Sequence, residues 1–235
     1  MGERSTSSTA GFAEAWQVLN PAFRRSLELA YESLADGGLA VGGVLTDADH
    51  QVIAEGRNRA YDAPGGRDAL QRTPLAHAEM NVLAAVHTGW DLADCILWST
   101  QEPCAMCAAA ASFTGVGRVR YLAPDPWALA TQAPGSTPAP SAVGARSTGP
   151  ADDLWVVSAN MLFLLSIAHR SGVAHPTIVR NRVLEPETTG IVMDLVAEDL
   201  AGPVLTRERS LTVALSAVWD RIVTAATART QRTTP

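Results

Sequence analysis

Apolar positions along the chain alternate between two periods, and each change of period marks a change of element. Phe23, Leu27, Ala30, Tyr31 and Leu34 follow helical spacing from Asn20-Pro21, a cap and first helical position, to Gly37-Gly38. Phe12, Trp16 and Leu19 carry that spacing upstream, so either the helix kinks at Pro21 or a short separate helix precedes it. Met1 to Thr9 reads as a polar, disordered terminus. Residues 39–46 and 51–55, apolar and β-branched around Asp47-Ala48-Asp49-His50, predict a hairpin. A helix is expected from Pro74 to Thr88, capped by Thr73 and stopped by Gly89, then a strand over Ile96 to Thr100, a helix opened by Pro103, and a strand over Val116 to Leu122. Leu154 to His169 predicts a strongly apolar helix, Thr177 to Leu184 a fifth strand, and Ile191 to Leu200 and Thr206 to Thr227 amphipathic helices.

These elements sum to a three-layer α/β/α sandwich with a mixed central sheet and a helical C-terminal extension. Residues 10–125 form the expected core, 126–153 a linker rich in proline, glycine and alanine, and 154–235 the helices and strand that complete the same domain. The apolar helix at 154 to 169 is short of a membrane span and carries Ser158, Asn160 and Ser166, so burial against the sheet or a second copy explains it better. At 235 residues and 47% hydrophobic the chain has ample material for a core. Its formal charge is −6 and every one of its 18 basic residues is arginine, a balance with no general attraction for nucleic acid. Residues 205–235 run the other way, setting Arg207, Arg209, Arg221, Arg229 and Arg232 against Glu208 and Asp220; a solvated face and an RNA grip both fit that pattern. The 3 cysteines make no disulfide framework, and no basic segment leads into an apolar run at the start, so the cytoplasm is the expected compartment.

The candidate chemistry lies between Thr73 and Cys107. His77-Ala78-Glu79 and Pro103-Cys104-Ala105-Met106-Cys107 together offer one imidazole and two thiols, a donor set that suits zinc. Three protein ligands leave a fourth tetrahedral position for water, and Glu79 is then a carboxylate beside the metal rather than on it. Two thiolates offset the metal's charge, so the water is acidified less than at an all-histidine site and a neighbouring base becomes necessary. Cys104 and Cys107, three apart, share one face of a helix, with Cys104 placed in its first turn by Pro103. His77 and Glu79 stand about 200° apart on an ideal helix, so both reach one site only near the helix start. Half of a structural zinc site or a redox pair is the plain reading of Cys-x-x-Cys alone; the matching His77, Glu79 and Pro103 favour catalysis.

The His-x-Glu and Pro-Cys-x-x-Cys pattern is the signature of zinc nucleobase deaminases. With Thr-Gln-Glu-Pro-Cys-Ala-Met-Cys at 100–107 and Val-Gly-Arg-Val-Arg-Tyr-Leu-Ala-Pro-Asp at 116–125, the chain resembles the cytidine/deoxycytidylate deaminase-like superfamily, nearest its guanine deaminase and tRNA adenosine deaminase branch. The resemblance covers roughly residues 20–125. It implies the cytidine deaminase-like sandwich, one zinc ion per chain on His77, Cys104 and Cys107, a homodimer, and substrate contacts at Asn58, Ala78 and Asp125. Turn roles explain Asn58 and Asp125 almost as well. Arg59 to Arg72 is longer than the family interval and is a candidate flap; Trp127 could stack on a flat ring, although packing is its commoner role.

The expected reaction is hydrolytic deamination of an aminated nucleobase or nucleoside, such as guanine, cytosine or a related purine or triazine. Glu79 would carry protons, and ammonia would leave. Editing of tRNA adenosine is the alternative within the class. Outside it stands a zinc-stabilised interaction module without catalysis.

Overall fold

The computed structural model describes residues 4–64, 66, 70–127, 146–148, 152–198 and 210–234, with side chains from Gly11 onward except those of 146–148. Helices α1 (Arg4–Val18) and α2 (Pro21–Ala35) precede strands β1 (Gly42–Thr46) and β2 (Val52–Arg57). Helix α3 (Ala78–Ala84), strand β3 (Ile96–Gln101), helix α4 (Ala105–Phe113) and strand β4 (Arg118–Ala123) follow. Strand β5 (Arg146–Thr148) leads to α5 (Asp153–Ser171), α6 (Pro176–Leu184), α7 (Pro186–Ala197) and α8 (Leu211–Thr233).

The sheet order is β2-β1-β3-β4-β5. β1 pairs antiparallel with β2 and β3, whereas β3, β4 and β5 run parallel. This is the expected mixed sheet, with helices on both faces. Trp98 meets Phe23 of α2 edge-on, ring centroids 4.9 Å apart, on the face that α5 also covers. Leu97 turns the other way, to Val82 of α3 and Ala111 of α4. The alternation along β3 thus serves two cores, which is why all six of its residues are buried.

Two glycines let helices approach the sheet backbone. A Cβ on Gly42 would stand 2.1 Å from the Ser26 carbonyl oxygen, and one on Gly56 would stand 2.9 Å from both Ala78 O and Val82 N. α2 is thereby pressed against one face and α3 against the other.

α1 and α2 are separate helices, joined where Asn20 Oδ1 accepts the Ala22 N–H at 2.8 Å. The first of these overturns the expectation of a disordered terminus, because Arg4 to Thr9 lie in α1. Phe12 and Trp16 hold α1 in an aromatic cluster with Trp155 of α5 and Trp219 of α8. α5 and α8 are long and apolar enough, by length and composition, to cross a membrane. α5 is a core helix here, and its two buried serines are satisfied in place, Ser158 Oγ donating to Leu154 O, and Ser166 Oγ donating to Phe163 O and accepting from Ala40 N.

Thr177–Leu184 is helix, not the expected fifth strand. His175 caps the Thr177 N–H, Pro176 occupies the first turn, and Thr177, Ile178 and Asn181 face inward at helical spacing. A local cap outweighs the β-branched residues there. The fifth strand is residues 146–148, within the stretch read as linker; most of that stretch lies outside the described residues. α7 begins at Pro186 and α8 at Leu211; residues 199–200 and 206–209 of the expected helices also lie outside the described residues.

The expected basic surface on the last helix is largely neutralised. Arg221 bonds Glu198, Arg232 bonds Glu187, and buried Arg229 grips Glu185 through two bonds of 2.7 Å while also pairing with Asp153. Arg207 and Arg209 lie outside the described residues.

Candidate metal centre

His77 and Cys104 both sit one residue ahead of a helix. His77 (φ −66°, ψ 156°) is the N-cap of α3 and Cys104 (φ −63°, ψ 168°) the N-cap of α4. This corrects two expectations. The first helix starts at Ala78 rather than Pro74, and Cys104 precedes its helix instead of sharing its first turn with Pro103. The extended backbone at each cap swings the side chain off the helical ladder, so His77 and Glu79 need not obey the 200° separation of an ideal helix. An N-cap side chain also reaches naturally toward the third helical position, which is where Cys107 stands.

His77 Nδ1 lies 3.6 Å from each sulfur, and the two sulfurs lie 3.6 Å from each other. A tetrahedral zinc bonded to sulfur at about 2.3 Å and nitrogen at about 2.0 Å requires edges of about 3.8 Å between sulfurs and about 3.5 Å from sulfur to nitrogen. The triangle fits the ion. Among the described residues these three form the one such group, and Glu79 is not part of it.

The electrostatics favour the same use. The Cys107 thiol donating toward it, helped by His77, lowers the Cys104 thiol to about 4, despite burial. Cys107 is pushed up by its neighbour Cys104, by burial and by Glu79. The hydrogen bond with Cys104 holds His77 above the ordinary imidazole value, against burial and with help from the charge on that sulfur. Burial raises the Glu79 carboxyl, opposed by a backbone N–H, by His77 and by Ser99. Ser99 Oγ, fully buried on β3, donates to Glu79 Oε1 at 3.0 Å and fixes the carboxylate's direction.

Asp125 lies close enough to feel Cys104 and His77; burial raises its carboxyl. Its N–H donates to Glu102 Oε2 at 3.2 Å, and its Oδ1 accepts from the Trp127 N–H at 2.9 Å. Glu102 thereby orders the turn leading into the cysteines. Asn58, 3% exposed, follows β2; Ala60 N–H occupies its Oδ1, and its Nδ2 takes no partner among the described residues. Ala78 is the buried first residue of α3. Arg59 N donates to Ala76 O just before His77, and the start of the expected flap is tied down: Asp62 pairs with Arg57 and Arg59, and Arg170 lies 3.5 Å above the Tyr61 ring, while residues 65 and 67–69 lie outside the described residues. Trp127 packs against α6, its Nε1 donating to Thr177 Oγ1 at 2.9 Å.

Ser99, Gly56 and the α6 side chains Thr177 and Arg180 were not among the sequence candidates. Gly56 alone left a trace, as a glycine inside a strand. Gln101, 4% exposed at the end of β3, has neither end of its amide bonded among the described residues.

The fold and the triangle define a class, α/β/α sandwiches whose single zinc sits between two helix starts. Over residues 18–123 the chain resembles the zinc-dependent cytidine and deoxycytidylate deaminase superfamily. The family described as "Cytidine and deoxycytidylate deaminase zinc-binding region" matches residues 18–123. A tRNA-specific adenosine deaminase of Haemophilus influenzae is 35% identical over 105 residues, 43% of this chain and 56% of that protein. A cytosine deaminase of Candida albicans is 28% identical over 96 residues, 40% of this chain and 59% of that protein. The chain therefore spans little more than half the length of these curated relatives. The X-ray structure of guanine deaminase from Bacillus subtilis is 30% identical, with 49% of this chain and 71% of that one covered, at a TM-score of 0.38.

Proposed function

We propose that the site catalyses hydrolytic deamination of an aminated nucleobase or nucleoside, with release of ammonia. One observation carries the reading: a buried carboxyl, Glu79, beside the ligand triangle but outside it, aimed by Ser99. A structural zinc clip has no use for such a group. His77, Cys104 and Cys107 would hold a zinc ion, which would supply Lewis acidity toward an attacking water. Glu79, raised by burial, accepts a proton from that water and returns protons to the ring nitrogen and the departing amine. First-turn N–H groups of α3 and α4, starting at Ala78 and Ala105, have no intrahelical partner and steady developing charge. Asn58 and Asp125 orient the ring, Asn58 with an Nδ2 that has no partner among the described residues.

The test is Glu79→Gln. The variant should keep its zinc by metal analysis and release no ammonia across a panel of guanine, cytosine, their nucleosides and a tRNA hairpin, on some of which the unaltered protein is active. Ammonia from the variant would refute the role; tight zinc with an inactive parent would leave the interaction module standing.

Editing of tRNA adenosine is supported by the Haemophilus relative and weakened by the pairing of Arg221, Arg229 and Arg232 with acids. The homodimer loses its expected contact surface, since α5 is buried within the chain; Phe113, 92% exposed, is the most exposed of several large apolar side chains, among the described residues, that could seed another. Light scattering decides the point. Two metal-binding thiols suit the cytoplasm.

A further inference from the structure

Every arginine of α8 in the described residues grips a carboxylate, but Arg180 of α6 grips none. No ion pair or hydrogen bond engages it among the described residues, and its Nε is sealed from solvent without a partner. Arg180 is only part-buried, so the cost of desolvation falls on that one nitrogen and the rest of the fork stays available to a ligand. Its surroundings indicate which kind. The guanidinium carbon stands 5.1 Å from the centroid of the Trp127 ring, within reach of a cation–π contact. Thr177, one turn earlier on α6, anchors the same indole. The Trp127 N–H donates to Asp125, and the Asp125 N–H donates to Glu102, two residues before Cys104. Three consecutive contacts thus join α6, outside the family region at 18–123, to the metal loop.

The acidic side chains nearest the triangle are Glu79, Glu102 and Asp125, while the two sulfurs would offset the charge of a bound zinc. A substrate with an anionic group would be repelled from such a mouth without a facing cation. Arg180 is that cation; it acts on Asp125 across the Trp127 turn while remaining unpaired with it. Trp127 is 43% exposed, so the cluster opens to solvent.

We propose that Arg180 is a specificity residue, through which the C-terminal half admits an aminated ring bearing an anionic oxygen, either a phosphate ester or a ring carboxylate. The inference rests on the deaminase reading of the site. Arg180 takes no part in proton transfer; its fork accepts the anion while Trp127 lies beneath.

The zinc-loaded Glu79→Gln protein allows binding to be read without turnover. Calorimetric titration would compare cytidine with cytidine 5′-monophosphate, guanosine with guanosine 5′-monophosphate, and cytosine with cytosine-5-carboxylate, with Arg180 present, as Arg180→Gln and as Arg180→Lys. One charged hydrogen-bonded contact is worth roughly 10- to 100-fold in affinity. The expected result is that the anionic member of at least one pair binds more tightly by that factor, that Arg180→Gln abolishes the difference while sparing the neutral member, and that Arg180→Lys restores part of it. Phosphate and carboxylate pairs tell the two sources apart. An unchanged ratio in Arg180→Gln, or equal loss for neutral and anionic members, overturns the proposal. Ammonia release by the parent protein scores the reaction separately, so failure of one idea is visible without the other.

Discussion

Adding one methyl group at Gly56 should loosen the metal without touching a ligand. The new Cβ would lie 2.9 Å from Ala78 O, 2.9 Å from Val82 N and 3.0 Å from the Asn81 Cβ. Two of these are backbone atoms of α3 and cannot rotate aside. Ordinary contact begins near 3.4 Å, so α3 must retreat by about 0.5 Å, at about 1–3 kcal/mol for an overpacked interface. α3 carries Glu79 and is capped by His77, whose Nδ1 must stay within about 0.2 Å of its bonding distance. The retreat exceeds that tolerance. Gly56→Ala should therefore lower zinc affinity roughly 10- to 100-fold, the range seen when a ligand's support is disturbed, alongside a lower denaturation midpoint. Competition against a zinc-sensitive chelator measures the first, and urea unfolding with metal in excess measures the second. Gly115→Ala is the control: at φ 83° it is strained, but open space surrounds it, so it should cost stability alone. Should Gly56→Ala hold zinc as tightly as its parent, α3 is not seated by this backbone contact.

Three further outcomes follow from the packing. Arg229→Ala leaves mostly buried Glu185 with only the 3.8 Å contact to Arg232, and Asp153 with only the Thr230 hydroxyl, and should cost about 3–5 kcal/mol by denaturant titration; a double change with Glu185→Leu should recover much of it. Gly190→Ala, exposed within α7 with nothing near the added methyl, should gain about 0.5–1 kcal/mol, read as a higher midpoint at constant slope. Gln101→Leu removes a buried amide with no partner at either end and should stabilise by about 1–3 kcal/mol; a loss on urea unfolding would mean that the amide is satisfied in solution.

The ligand set was legible because zinc chemistry restricts residue type and spacing together, and His77, Cys104 and Cys107 do converge. Their backbone setting was not legible. Thr73-Pro74 and Pro103 have the grammar of helix starts, yet the helices begin later, because residues just ahead of a helix aim side chains more freely than residues on it. Ser99 was invisible for another reason. A serine inside an apolar strand reads as filler until the sheet sets it opposite Glu79. The reversal at 177–184 arose from a histidine acting as a cap, a use its ring rarely announces. Arg180 could not be found at all, since its meaning depends on what stands over it after the chain folds.

The three-residue strand β5 is small, but it closes the side of β4 that would otherwise present open amide and carbonyl groups to other molecules. The opposite border, β2, is defended differently, by Glu55 and Arg57 with their charged partners. A deletion spanning residues 146–148 should therefore produce a protein that still folds and loads metal yet associates through its bare rim, with self-association rather than unfolding as the first symptom.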